Sequence, residues 1–263
     1  MTKLRIYQVD AFTDRLFGGN PAAVVPLDEW LDDATMQAIG LENNLAETAF
    51  FVAETQGFRL RWFTPEVEVK LCGHATLASA YVLFNILEPG RRKVRFETQS
   101  GALTVAAAGE RLVMDFPRWS LDAIDNVPAA LAKGLHATPR QVLSTDDGGC
   151  LFCVFASEDD VRAIAPDFAT LRTLNAGVIA TAPGEHSDCA VRYFAPSYGV
   201  DEDAGTGSIH CALTPYWAER LSKNTVHSRQ ISKRGSELFC ELKGHRVEIA
   251  GRAVKYLDGW IEV

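Results

Sequence analysis

No charged side chain interrupts the chain between His74 and Leu87, and that run constrains the fold more than any other feature. A helix apolar around its whole circumference cannot lie on a surface, so other elements must wrap it. The residues before it prepare this. Phe58, Leu60 and Trp62 alternate with Arg59 and Arg61 as in a half-buried strand, and Pro65 ends the ladder. A short loop then delivers Cys72 and Gly73 to the helix start. With no acidic first turn, the free N–H groups at that start suit an anionic ligand.

The design recurs. Arg192-Tyr-Phe-Ala-Pro196 repeats the Arg-x-Phe-x-Pro pattern of Arg61 to Pro65, and Asp203-Ala-Gly-Thr-Gly-Ser208 leads into a second largely apolar run, Ile209 to Ala218. Gly205 to Ser208 stands where Gly73 to Thr76 stood, one residue later. Such self-similarity predicts an internal duplication. At 263 residues the chain accommodates two domains of about 130, expected at 1–117 and 118–263, with Pro117 to Val127 as the seam and the last strand free to return to the first half. Strands come in adjacent runs with one buried helix per half. The predicted class is therefore α+β: two pseudo-symmetric domains, each a mostly antiparallel, barrel-like sheet around a central buried helix.

Met1 to Phe12 and Cys150 to Ala156 read as strands. Leu31 to Gly40 reads as a helix opened by Asp32 and Asp33, and Ser157 as a good start for one helix over Val161 to Leu174. Pro128 to Leu135 and Pro139 to Leu143 read as short helical pieces. A net charge of −8 without a Lys/Arg cluster argues against nucleic-acid and anionic-membrane surfaces. No apolar run approaches bilayer length, so a cytoplasmic location is the expectation. Six cysteines in this length make no disulfide framework. Cys150 and Cys153, three apart on a strand, should face opposite ways, so no metal or redox site is expected there.

Three ionisable groups lie in or beside the repeated motifs: Glu47, His74 and Asp203. Two carboxylates and an imidazole in one cleft can carry a proton from carbon to carbon when their surroundings tune them apart. Glu47 also fits the exposed foot of the strand Thr48 to Ala53. Likewise Gly18-Gly19-Asn20-Pro21 fits either a ligand-approaching turn or an ordinary connection. Ser208 and the backbone around Gly73, Gly205 and Gly207 could orient a substrate carboxylate. Glu202 reads as solvated.

Asn44-Leu-Ala-Glu47, Cys72-Gly-His74-Ala-Thr and Tyr198-Gly-Val-Asp-Glu-Asp203-Ala-Gly-Thr-Gly-Ser208 resemble the hallmarks of the PhzF-like, phenazine-biosynthesis family of the diaminopimelate epimerase superfamily. The resemblance runs from Gln8-Val-Asp-Ala-Phe12 and Gly19-Asn20-Pro21 to the C-terminus. It implies a cofactor-free isomerase, commonly a homodimer, that moves a proton within a cyclic carboxylate such as a dihydro-hydroxyanthranilate. By motif, Glu47 would be the acid/base. His74, Asp203 and Ser208, with Gly73, Thr206 and Gly207, would hold the substrate. Neither metal nor cofactor is implied. Cys72, His210-Cys211 and Lys70 depart from the phenazine enzymes, so the reaction type transfers better than the substrate. Two other readings stay open: a Cys72-dependent racemase or epimerase, and a non-catalytic binding or adaptor protein. A two-thiol mechanism lacks its second thiol, because Ala204 stands opposite Cys72. Cys211 is expected about two turns inside the second helix.

Overall fold

The computed structural model describes residues 2–146 and 148–263, leaving Met1 outside the first strand's description. The chain divides into two compact units, one running to Phe116 and taken up again at Glu248–Val263, the other Pro117–Val247.

In the first unit, β1 (Lys3–Ala11) lies antiparallel between β2 (Asn20–Leu27) and the C-terminal strand Ala253–Glu262. Helix α1 (Asp33–Asn43) carries the chain from β2 to the parallel β3 (Glu47–Glu54), which turns back into β4 (Gly57–Phe63) and the short β5 (Glu68–Val69). The buried helix α2 (Gly73–Val82) then crosses to β6 (Lys93–Thr98), parallel to β4, and the hairpin strands β7 (Gly101–Ala108) and β8 (Arg111–Pro117) follow. Asp32 caps α1, accepting from the Thr35 amide.

The second unit repeats this order. After β9 (Leu121–Ala123) and α3 (Ala129–Leu135), β10 (Gln141–Thr145) lies antiparallel to β9 and to β11 (Cys150–Val154). Two short helices, α4 (Glu158–Arg162) and α5 (Phe168–Arg172), lead to β12 (Gly177–Pro183), parallel to β11. Strands β13 (Cys189–Ala195) and β14 (Val200–Asp203) are antiparallel neighbours. Helix α6 (His210–Leu221) crosses to β15 (Thr225–Gln230), parallel to β13, and β16 (Ser236–Lys243) closes a hairpin. Parallel crossover, hairpin, short strand, helical crossover and hairpin thus occur in the same order in both units. The α+β architecture with repeated halves is as the sequence indicates.

Each sheet has two working faces. Helix α2 packs on β1, β2, β3 and the C-terminal strand, while Met36 and Ile39 of α1 cover Ala23, Val25, Phe50 and Phe63 on the opposite face. In the second unit Ile209, Leu213 and Trp217 pack on Phe152, Ile179 and Val191. Helices α3 to α5 cover Cys153, Val178, Ala180 and Phe194 on the other side. Cys150 and Cys153 therefore do belong to opposite faces. Each large apolar side chain buried this way contributes about 1.5–3 kcal/mol.

Three local expectations need correction. Pro139 to Leu143 is not helical: Gln141–Thr145 is a strand, because partners stand on both its edges, a tertiary gain that overrides local preference. The single helix over Val161 to Leu174 is two five-residue helices, since Pro166 lies between them and cannot continue a helix. Finally, α6 begins only at His210. Gly205 to Ile209 form a turn before it, with the His210 and Cys211 amides donating to the Gly207 and Ser208 carbonyls. Cys211 is consequently in the first turn, not two turns in. Its thiol is buried and pushed up to about 12 by that burial.

Candidate active site

Register explains the first cluster. Ala22 pairs with Glu47 and Val24 with Ala49, so Asn20, Ala22, Glu47 and Ala49 share one face of the parallel pair, at the end where both strands begin. That face receives α2, whose first residues are Gly73 and His74. Gly19 gives the chain its approach: its φ is +63°, and a Cβ there would sit 2.2 Å from the Ala11 carbonyl oxygen.

The result is a buried polar group in an apolar setting. His74 Nε2 lies 3.0 Å from Glu47 Oε2, with the two side chains 5% and 15% exposed. The separation suits an ion pair, and neither atom reaches a further hydrogen-bond partner among the described residues. On the other side of the ring, the Asn20 amide nitrogen is 3.1 Å from Nδ1 and the Cys72 thiol 3.5 Å.

Burial opposes a charge on His74, yet the neighbouring Cys72 and Glu47 outweigh it and hold the imidazole well above its ordinary range. Burial, with Glu47 nearby, pushes the Cys72 thiol up to about 11. The Glu47 carboxylate beside the ring favours imidazolium. An imidazolium donates at both nitrogens. A half-turn of the Asn20 amide then presents its oxygen to Nδ1, the two orientations being equivalent in outline.

Ligand-type atoms of Glu47, Cys72 and His74 all lie within 4.8 Å of one another, a donor set that a soft divalent metal could use. Both Cys72 and His74 hold protons where such a metal would need lone pairs, so its binding would release them.

The second cluster lies in the other unit, between β14 and α6. The Thr206 hydroxyl donates to Asp203 Oδ2 in a short hydrogen bond. Thr206 and Gly207 are buried and Ser208 half-buried. His210 is fully buried, with Nδ1 2.8 Å from the Thr206 carbonyl and Nε2 2.8 Å from the Ser228 hydroxyl. A carbonyl only accepts, so Nδ1 carries the proton and Nε2 accepts from Ser228. Burial pushes this imidazole down to about 4, so it is neutral at pH 7. Glu202 is not solvated: Arg192 holds it by two hydrogen bonds of 2.7 and 2.9 Å. Arg61 grips Glu68 the same way in the first unit, at 2.7 and 2.8 Å.

The family model for phenazine biosynthesis-like proteins matches residues 9–259. The chain belongs to that family. Among its PhzF-family relatives, an "uncharacterized isomerase" of Pseudomonas aeruginosa is 51% identical over 99% of both chains. A crystal structure of a PhzF-family phenazine biosynthesis protein from Enterococcus faecalis superposes with a TM-score of 0.95 at 42% identity, covering 100% of both chains. A "predicted epimerase" from P. aeruginosa, at 23% identity and a TM-score of 0.76 over 99% of both, shares the fold alone.

Motif reading reached Glu47, Cys72, Gly73, His74 and Asn20, which the first unit gathers, and Asp203, Thr206, Gly207 and Ser208, which one loop of the second unit holds. It missed Gln230, buried against that loop. A signal was present. In β15 the buried phase reads Val226, Ser228, Gln230, which puts polar side chains where the alternation calls for apolar ones.

Proposed function

We propose that this PhzF-family chain is an isomerase that moves a proton within a small cyclic or unsaturated carboxylate, with Glu47 as the acid/base. One observation carries the reading: a carboxylate and an imidazole buried 3.0 Å apart whose facing atoms have no further partner among the described residues. Such a pair, sheltered from water, can take a proton from a substrate carbon and offset the charge that develops on its removal. The isomerase name of the 51%-identical relative supports the same class.

In this mechanism the Glu47 carboxylate takes a proton from carbon next to a double bond. The substrate becomes a delocalised anion, and the His74 imidazolium offsets the added charge. Glu47, now carrying the proton, returns it to a second carbon on the same face, so one group serves as base and then acid. The resemblance gives Asp203, Thr206, Gly207 and Ser208 of the second unit a substrate-holding role as well. The chain's own residues supply every proton transfer, and a dihydro-hydroxyanthranilate is the model substrate the resemblance suggests. A cytoplasmic homodimer is part of this reading, with light scattering as its check.

Glu47→Gln tests the mechanism. The variant should fold, yet incorporation of deuterium from solvent into the model substrate should fall by about 10²–10⁴-fold. A loss well under tenfold would remove Glu47 from the role. The Cys72 racemase reading is weaker, because a buried neutral thiol held at about 11 is a poor base near pH 7.

A further inference from the structure

Side chains of the β15–β16 hairpin hold the backbone of the loop that begins at Asp203. Gln230, only 1% exposed, does most of this. Its Oε1 accepts from the Thr206 amide at 2.7 Å, and its Nε2 donates to the Asp203 carbonyl at 2.7 Å and to Thr206 Oγ1 at 3.2 Å. Ser232 and Ser236 both donate to the Ala204 carbonyl, at 2.8 and 2.9 Å.

These contacts have a direction. An amide N–H that donates to the Thr206 hydroxyl leaves that hydroxyl's own proton to point elsewhere, and it points at Asp203 Oδ2. We infer that Gln230 is a positioning residue for the proposed reaction. It orients the Thr206 hydroxyl onto the Asp203 carboxylate and fixes that carboxylate's aim at the substrate. Only a carboxamide does this, since the site asks one side chain to accept at one end and donate twice at the other. A carboxylate at position 230 would accept the Thr206 proton, turn the hydroxyl away from Asp203 and repel the Asp203 carbonyl. The inference rests on the reading of Asp203 as a substrate-holding group.

Two substitutions test it, with anthranilate as the planar carboxylate probe and calorimetry as the binding readout. Gln230→Met keeps length and volume but removes all three hydrogen bonds. It should speed solvent exchange of the Thr206 amide at least about tenfold and weaken anthranilate by a similar factor, the loss expected for one buried hydrogen bond. Gln230→Glu keeps the acceptor, so the Thr206 amide stays protected while anthranilate binding falls at neutral pH. Binding should recover relative to wild type as the pH drops and the introduced carboxylate regains a proton to donate. A purely structural role predicts weakening in step with thermal stability and no recovery in acid, and that result would overturn the inference. If wild type itself does not bind anthranilate, the proposed ligand class fails instead. The inference is then decided by the Thr206 exchange rates and by a crystal structure of Gln230→Met: an unmoved Asp203 carboxylate refutes it, and a displaced one sustains it.

Discussion

At the scale of single residues, the Glu47–His74 pair makes opposite demands on stability and chemistry. Because the folded protein holds the His74 pKa above its unfolded value, the pair stabilises most fully below about pH 6.5. That contribution is lost as pH rises through the raised pKa, because the folded state then binds more protons than the unfolded one. The stability advantage of wild type over Glu47→Gln should therefore shrink as urea titrations move from pH 6.5 upward; an advantage that grows with pH would reverse the assignment of charge. Cys72 behaves differently. Its thiol is 6% exposed and neutral, so Cys72→Ala should retain most isomerase activity while Glu47→Gln and Asp203→Asn lose it. A dead Cys72→Ala on a substrate that wild type racemises would mean thiol chemistry. At both positions the motif exposed the residue types. The contact of Asn20 with His74, across 54 positions, became visible only in the fold.

Among the elements, α6 depends on a neutral histidine at its first position. His210 is held near 4 by burial, so the folded state resists a proton that the unfolded chain accepts below about pH 6.5. Stability from this group is present above that pH and declines as pH falls toward 4, by about 3 kcal/mol in all. Acid unfolding followed by circular dichroism should show a shallower pH dependence for His210→Gln than for wild type; equal slopes would mean that His210 does not limit acid stability. The start of α6 also shows what local pattern could not specify. The Gly-Thr-Gly segment looks like a helix opening, but the side chains of Gln230, Ser232 and Ser236 bind its backbone and hold it as a turn. Helix α2 begins at Gly73, and Cys72 before it makes no side-chain cap.

Across the whole molecule, the two units repeat an arginine–carboxylate clamp as well as a topology, and the copies are not equal. Arg61 grips Glu68 and adds Asp33, whose side chain is 78% exposed. Arg192 grips Glu202 and also donates to the carbonyls of Val161, Arg162 and Ile164 around the end of α4. Loss of Arg192 leaves those acceptors and a largely buried carboxylate without their partner. Arg192→Gln should therefore cost about 3–5 kcal/mol, against about 1–3 for Arg61→Gln, in parallel denaturant titrations. Equal costs would show that the carbonyl contacts contribute nothing. The amino-acid sequence by itself determined what local chemistry can specify: the uncharged helix, the repeated Arg-x-Phe-x-Pro strands, the Asp32 cap and the motif residues of both clusters. Tertiary structure alone decided that Gln141–Thr145 pairs as a strand, that Glu202 finds Arg192, that Asn20 meets His74 and that Gln230 holds Thr206. Two of these contacts bridge 54 and 24 positions, and the other two depend on antiparallel register with a neighbouring strand. No local window contains that register, because it is set by which buried faces must coincide when whole elements pack.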